Sequence, residues 1–138
     1  MKWLISVVLA MLCILPVAGM AISQYIDGRE NVAYQCAMDP ELPPGIREGE
    51  TALREASVTS MPAGRLCVFS AADRETVAAQ TGWPSTISGI AASMLAALLT
   101  VVAWRRRGEH GAVMTLLPVV IIMVIWGIVF ASAHTASV

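Results

Sequence analysis

The chain has 138 residues, 57% of them hydrophobic and 14% charged, with a net charge of −1 and a mean hydropathy of +0.68. Soluble domains carry about 25% charged residues, so this composition argues against an ordinary water-soluble domain, and the balance lacks the basic footprint of a nucleic-acid binder. Of nineteen charged residues, fourteen lie between Asp27 and Glu75; the others are Lys2, Arg105, Arg106, Arg107 and Glu109, which leaves three long uncharged stretches.

Residues 3–26 form the first stretch. Its 24 uncharged residues would make about 36 Å of helix, enough to cross a hydrocarbon core of about 30 Å with some tilt. A cleaved signal peptide is the alternative, with Lys2 as its basic start and Gly19 and Ala21 as small residues for a cleavage site. The apolar run outlasts the usual h-region of about 7–15 residues and continues through Ile22 and Ile26, which favours a retained transmembrane helix. Pro16 is tolerated in such a helix and predicts a kink.

Residues 27–84 read as a small extracytoplasmic domain. Asp39-Pro40 and Pro43-Pro44-Gly45 predict an extended, loop-like course over 27–50, pinned at Cys36. Residues 57–60 and 66–69 read as two strands, and Met61-Pro62-Ala63-Gly64 between them has the residue pattern of a type I turn. Residues 70–82 are ambiguous. Ser70, Asp73 and Gly82 fit a short capped helix, whereas Thr76-Val77 fits a third strand. The strand is preferred, because an isolated hairpin is marginal.

Cys36 and Cys67 both fall in this segment, where oxidation is favoured, and Cys13 falls in the first helix. The spacing suits neither a Cys-x-x-Cys redox centre nor a four-ligand zinc site. A structural disulfide between Cys36 and Cys67 is expected, stabilising a domain too short for much core by about 3–4 kcal/mol.

Residues 85–104 form a second transmembrane helix of about 30 Å, residues 105–111 a cytoplasmic turn, residues 112–133 a third helix of about 33 Å, and residues 134–138 an outer tail. Lys2, Arg105, Arg106 and Arg107 set the orientation by the positive-inside rule: N-terminus in, residues 27–84 out, C-terminus out. Trp3 and Trp104 then fall at the inner interface and Tyr25 and Trp83 at the outer one. Trp126 fits this belt less well and reads as lipid-facing or packed on a neighbour. In the second helix Ser88, Ala92, Ala96 and Thr100 form one small-residue ridge at spacings of four, and Gly89, Ser93 and Ala97 a second. Gly127 and Ala131 form a shorter pair on the third helix. Such ridges let helices approach closely in lipid.

Little in the chain suggests catalysis. No acid or base lies deep in a span, which argues against a conducting subunit. Glu41, Glu48, Glu50 and Glu55 form no acid–base pair, His110 reads as a solvated turn residue, and a lone His134 at a helix end reads as interfacial. Arg105-Arg106-Arg107 is explained by its orienting role and falls short of a lipid-binding cluster. No enzyme activity, metal, cofactor, small-molecule substrate or nucleic-acid partner is expected.

The order Cys36, Pro43-Pro44-Gly45, Pro62-Ala63-Gly64-Arg65-Leu66-Cys67 and Gly82-Trp83 resembles a pattern in small uncharacterised membrane proteins of high-GC actinobacteria. The resemblance covers about half the chain and implies no activity. Twenty-one alanines, and eight arginines to one lysine, fit a GC-rich genome.

The expected architecture is therefore three transmembrane α-helices with a small, disulfide-stapled, mainly β extracytoplasmic domain in the plasma membrane. The expected role is an accessory or assembly subunit of a larger membrane complex, with a stand-alone, ligand- or protein-binding envelope protein as the alternative. Cysteines introduced at positions 50 and 108 should label oppositely with a membrane-impermeant thiol reagent on intact cells. Labelling at 108 from outside would overturn the orientation.

Overall fold

The computed structural model describes residues 2–29, 31–38, 52–70, 76–106 and 112–135. Helix α1 spans Lys2–Leu12 and α2 spans Ile14–Arg29, with Cys13 at a turn between them. Pro16 accounts for the break: it has no N–H to donate to the carbonyl of Leu12, and its ring crowds that carbonyl. The Cys13 N–H still donates to Leu9 O at 3.3 Å. The pair therefore continues as one apolar span, Trp3–Arg29. This helix runs past Ile26, where the apolar run ends. Arg29 stands 5.6 Å from the Tyr25 ring centre, and a cation in the last turn complements the helix dipole.

Helix α3 is short, Val32–Ala37; the strands are β1 Ala52–Ser60, β2 Ala63–Ser70 and β3 Thr76–Gln80; helices α4, Trp83–Arg106, and α5, Ala112–Thr135, complete the order. Pro84 lies in the first turn of α4, where its missing N–H costs nothing. Among the described residues three helices are thus long and apolar enough to cross a membrane: Trp3–Arg29, Trp83–Arg105 and Val113–Ala133. The chain divides into two compact units, one of Met1–Ala21 with Pro84–Ile128 and the other of Ile22–Trp83 with Val129–Val138.

In the second unit the strands form an antiparallel sheet in the order β1-β2-β3. The third strand is the one preferred over a helix for 70–82, although residues 71–75 lie outside the described residues. The turn differs from expectation. Ser60 pairs with Ala63, so Met61 and Pro62 form the tip, and a cis peptide joins them. Proline then occupies the third turn position rather than the second, which is the type VI arrangement instead of type I.

The course through Cys36 also differs, being helical rather than extended. The Asn31 side chain accepts from the Ala33 N–H at 3.1 Å and so caps α3, a role for which asparagine is well suited. The remaining loop residues predicted there, 39–50, lie outside the described residues.

The disulfide pins α3 to the central strand. Cys36 and Cys67 are bonded with their Cα atoms 5.8 Å apart, and both are buried with Phe69 against Val32, Leu53, Ala56 and Ala79. A bulge between Leu53 and Glu55 makes this possible. In a regular strand, residues three apart point to opposite faces. The extra residue resets the alternation, so Leu53 pairs with Phe69, Ala56 with Cys67, and both join one face.

Glycine is required where β2 begins and β3 ends. A Cβ on Gly64 would lie 2.6 Å from Thr81 O, and Gly82 has φ +88° with the Ala63 carbonyl against it. Thr81 extends the ladder there: its N–H donates to Arg65 O at 3.0 Å, and its Oγ1 accepts from the Arg65 N–H at 3.1 Å.

Peptide mapping of non-reduced, alkylated protein should find Cys36 joined to Cys67 and Cys13 alkylated only after unfolding. Alkylation of Cys36 and Cys67 without reduction would remove the staple.

Candidate functional site

Helices apolar on all sides need something other than hydrophobicity to align them. In this chain many of the aligned positions are small or polar, and they recur largely in alternating steps of three and four. On the first span the buried residues are Ser6, Val7, Ala10, Cys13, Val17, Met20 and Gln24. On α4 they are Thr86, Gly89, Ala96, Thr100 and Ala103, with half-buried Ser93 between. On α5 they are Thr115, Pro118, Ile122 and Val129. A mean step of 3.5 residues is the seam of left-handed, coiled-coil-like packing.

Within the first unit, specific contacts hold the seams together. Trp3 Nε1 donates to Thr115 Oγ1 at 3.0 Å. Trp126 Nε1 donates to Ser93 Oγ at 3.1 Å, and Ser93 Oγ donates to Gly89 O at 2.7 Å. Trp126 is thus half-buried against α4 rather than turned wholly outward. Gly89 admits Met20: a Cβ on it would lie 2.9 Å from the Met20 sulfur.

The small residues singled out in the sequence therefore separate into groups. Gly89 and Ala96 are buried, Ala92 and Ser93 half-buried, and Ser88 and Ala97 exposed. The internal seam takes Gly89 and Ser93 from one ridge and Ala96 and Thr100 from the other. A strict spacing of four follows a right-handed crossing, whereas the three–four alternation moves from one row to the next. Gly127 and Ala131 are exposed on α5, and nothing lies within 4 Å of a Cβ built on Gly127.

A polar node that sequence reasoning missed lies in the second unit. Gln24 is 1% exposed. Its Nε2 donates to Thr59 O at 3.1 Å and to Val129 O at 3.2 Å. One carboxamide thus ties α2, β1 and α5, segments remote in sequence. Its Oε1 is buried without a hydrogen-bond partner. The signal was legible: Gln24 is a lone carboxamide in an apolar run, one heptad after Val17.

Other predicted residues contribute little geometry. Lys2 opens α1, Arg105 and Arg106 close α4, and Arg105 is exposed. Arg107, Glu109 and His110 lie outside the described residues, as do the side chains of Lys2, Arg106 and His134. Among the described residues no three of His, Cys, Asp or Glu gather as metal ligands.

Two recesses open on α4. One, of about 390 Å³, is walled by Leu9, Leu12, Cys13, Pro16, Ala92, Leu95 and Leu99, all apolar. The other, of about 210 Å³, is walled by Thr100, Val101, Trp104, Arg105 and Leu116. Comparison with protein-family models, curated proteins and solved structures finds no match for this chain.

Q24L removes the donor to two carbonyls and should lower stability by about 1–3 kcal/mol. Q24E places an oxygen against both carbonyls and should lose more. Thermal unfolding of the detergent-solubilised protein, followed by circular dichroism, measures both. Unchanged melting in Q24L would show that the node contributes nothing.

Proposed function

We propose that the chain is an integral protein of the plasma membrane and serves as a non-enzymatic accessory or assembly subunit of a larger membrane complex. Its three apolar helices cross the bilayer with the N-terminus cytoplasmic and residues 27–84 and the C-terminus outside. The length and hydropathy of the spans support insertion, and the arginines at 105–107 support this orientation.

The observation that carries the subunit reading is the exposed Gly127–Ala131 face of α5. Glycine inside a helix costs about 1 kcal/mol relative to alanine. In lipid that cost is offset where a small residue lets another helix approach closely. The internal seams of α5 run through Thr115, Pro118, Ile122 and Val129 instead, so the Gly127 notch suits a helix from another chain. The outer sheet, stapled at Cys36–Cys67, would contact the same partner. The alternative is a stand-alone envelope protein whose outer domain binds a ligand or protein.

Mild-detergent purification of the wild type and of G127L/A131L separates these readings. The wild type should carry a stoichiometric partner. The variant should remain in the membrane with its disulfide intact, while partner recovery falls about tenfold, the size of one to two kcal/mol of lost helix packing. A lone wild-type monomer, or a variant that keeps its partner, would contradict the subunit reading.

A further inference from the structure

We propose that the Met61-Pro62 tip of the β1–β2 hairpin dips into the bilayer, so that Met61 enters the leaflet from which the sheet emerges and meets the upper part of its acyl chains. The proposal rests on the reading that the apolar helices cross a membrane.

The contacts of the second unit set the depth of the hairpin. Gly28 and Gln24, one helical turn apart on α2, meet successive residues of β1. A Cβ built on Gly28 lies 3.7 Å from the Val58 side chain, and Gln24 Nε2 donates to Thr59 O at 3.1 Å. Later residues of β1 thus touch earlier residues of α2, so the strand runs back along the helix toward the hydrocarbon. The same Nε2 donates to Val129 O at 3.2 Å. Gln24 lies inside the Trp3–Arg29 span and Val129 inside Val113–Ala133. At 1.5 Å per residue, both stand about 6–8 Å short of the span ends. Ala63 O lies against Gly82, next to Trp83, where the third span of this kind begins. Ser60 pairs with Ala63, so Met61 and Pro62 reach beyond that level.

The surface at this depth is apolar. Exposed side chains around Gln24 include Ile22, Tyr25 and Ile26, and those beside Val129 include Ile128 and Phe130. Met61 itself is 58% exposed, and its flexible thioether chain adapts to irregular surroundings. No charge falls between Val58 and Gly64, whereas Arg54 and Glu55 on the same strand are exposed. The backbone of the tip is suited to the site as well. Pro62, Ala63 and Gly64 are buried in protein, as non-helical backbone at membrane depth must be. Pro62 has no N–H, and its carbonyl accepts from Thr59 Oγ1 at 2.7 Å. Lipid is the occupant because the hairpin is tied to two of the chain's own spans. A bilayer holding those spans brings acyl chains to Met61 with no further partner.

Depth-dependent fluorescence quenching tests this on the full chain, reconstituted at high lipid-to-protein ratio in vesicles of phosphatidylcholine alone. In a C13A background, M61C, E55C and M94C each carry a nitrobenzoxadiazole label. Glu55 lies about 20 Å along the strand from Met61, and Met94 is exposed midway along Trp83–Arg105. The label at 61 should be quenched several-fold more by lipid spin-labelled near its carbonyls than the label at 55. Iodide on both sides of the membrane should give the reverse order. Equal quenching at 61 and 55 would overturn the proposal. The label at 94 separates the levels: if lipid quenches it while 61 behaves as water-exposed, tip insertion alone fails, and if it too is water-exposed, the membrane reading fails with it. The unaltered chain gives a second readout. Phosphatidylcholine with a diazirine high on one acyl chain should cross-link at residues 61–62 and not at 54–57, as mapped by tandem mass spectrometry. No adduct at 61–62 would contradict the insertion.

Discussion

A helix that is apolar on every side carries no hydrophobic face to say which side packs inward, and hydrocarbon around it would offer no burial to drive association. The three long helices among the described residues meet that constraint by placing small and polar residues among the apolar ones of a 3.5-residue repeat. Gly89 lets Met20 lie against the α4 backbone. Ser93 turns an otherwise greasy tryptophan, Trp126, into a hydrogen-bonded contact, and Trp3 reaches Thr115 in the same way. Each such bond is worth about 1 kcal/mol or less in a membrane setting. Their value lies in fixing rotation about each helix axis, which dispersion among leucines and valines leaves free.

The sheet solves a different problem with different means. A segment this short buries little core, and one cluster of it among the described residues is Cys36, Cys67 and Phe69 with a few partly buried neighbours. The disulfide holds α3 on the sheet, the bulge at Leu53/Glu55 brings Leu53 and Ala56 to one face, and the paired glycines at 64 and 82 let two backbones touch. Gln24 then supplies one donor to two carbonyls that lie far apart in sequence. All of these devices fix the geometry of the sheet.

Much of this architecture was legible in the residues. Uncharged length predicts the three helices, cysteine placement predicts the disulfide, and two runs of strand-forming residues around a proline–glycine turn predict the hairpin. The misses have physical causes. The 61–64 turn was misassigned because a proline serves the second position of a type I turn in trans and the third of a type VI turn in cis, and sequence does not distinguish them. Helix α3 was hidden by its polar surroundings, though Asn31 before Val32 and Cys36 was a cap signal. Two equivalent small-residue ridges on α4 looked alike because composition is blind to crossing angle; the packing chose a path across both. Gln24 was overlooked because one amide barely alters the hydropathy of its span, yet burial makes it a junction.

The packing of the first span against α4 is the contact on which this account turns, and it can be read directly. A Cβ built on Gly89 lies 3.8 Å from the Met20 Cβ, about the mean separation in a disulfide. Mild oxidation of the pair M20C/G89C in membranes should close an intramolecular cross-link nearly to completion, and M20C/G127C should not. Failure of the first pair, or efficient closure of the second, would contradict the seam described for these helices.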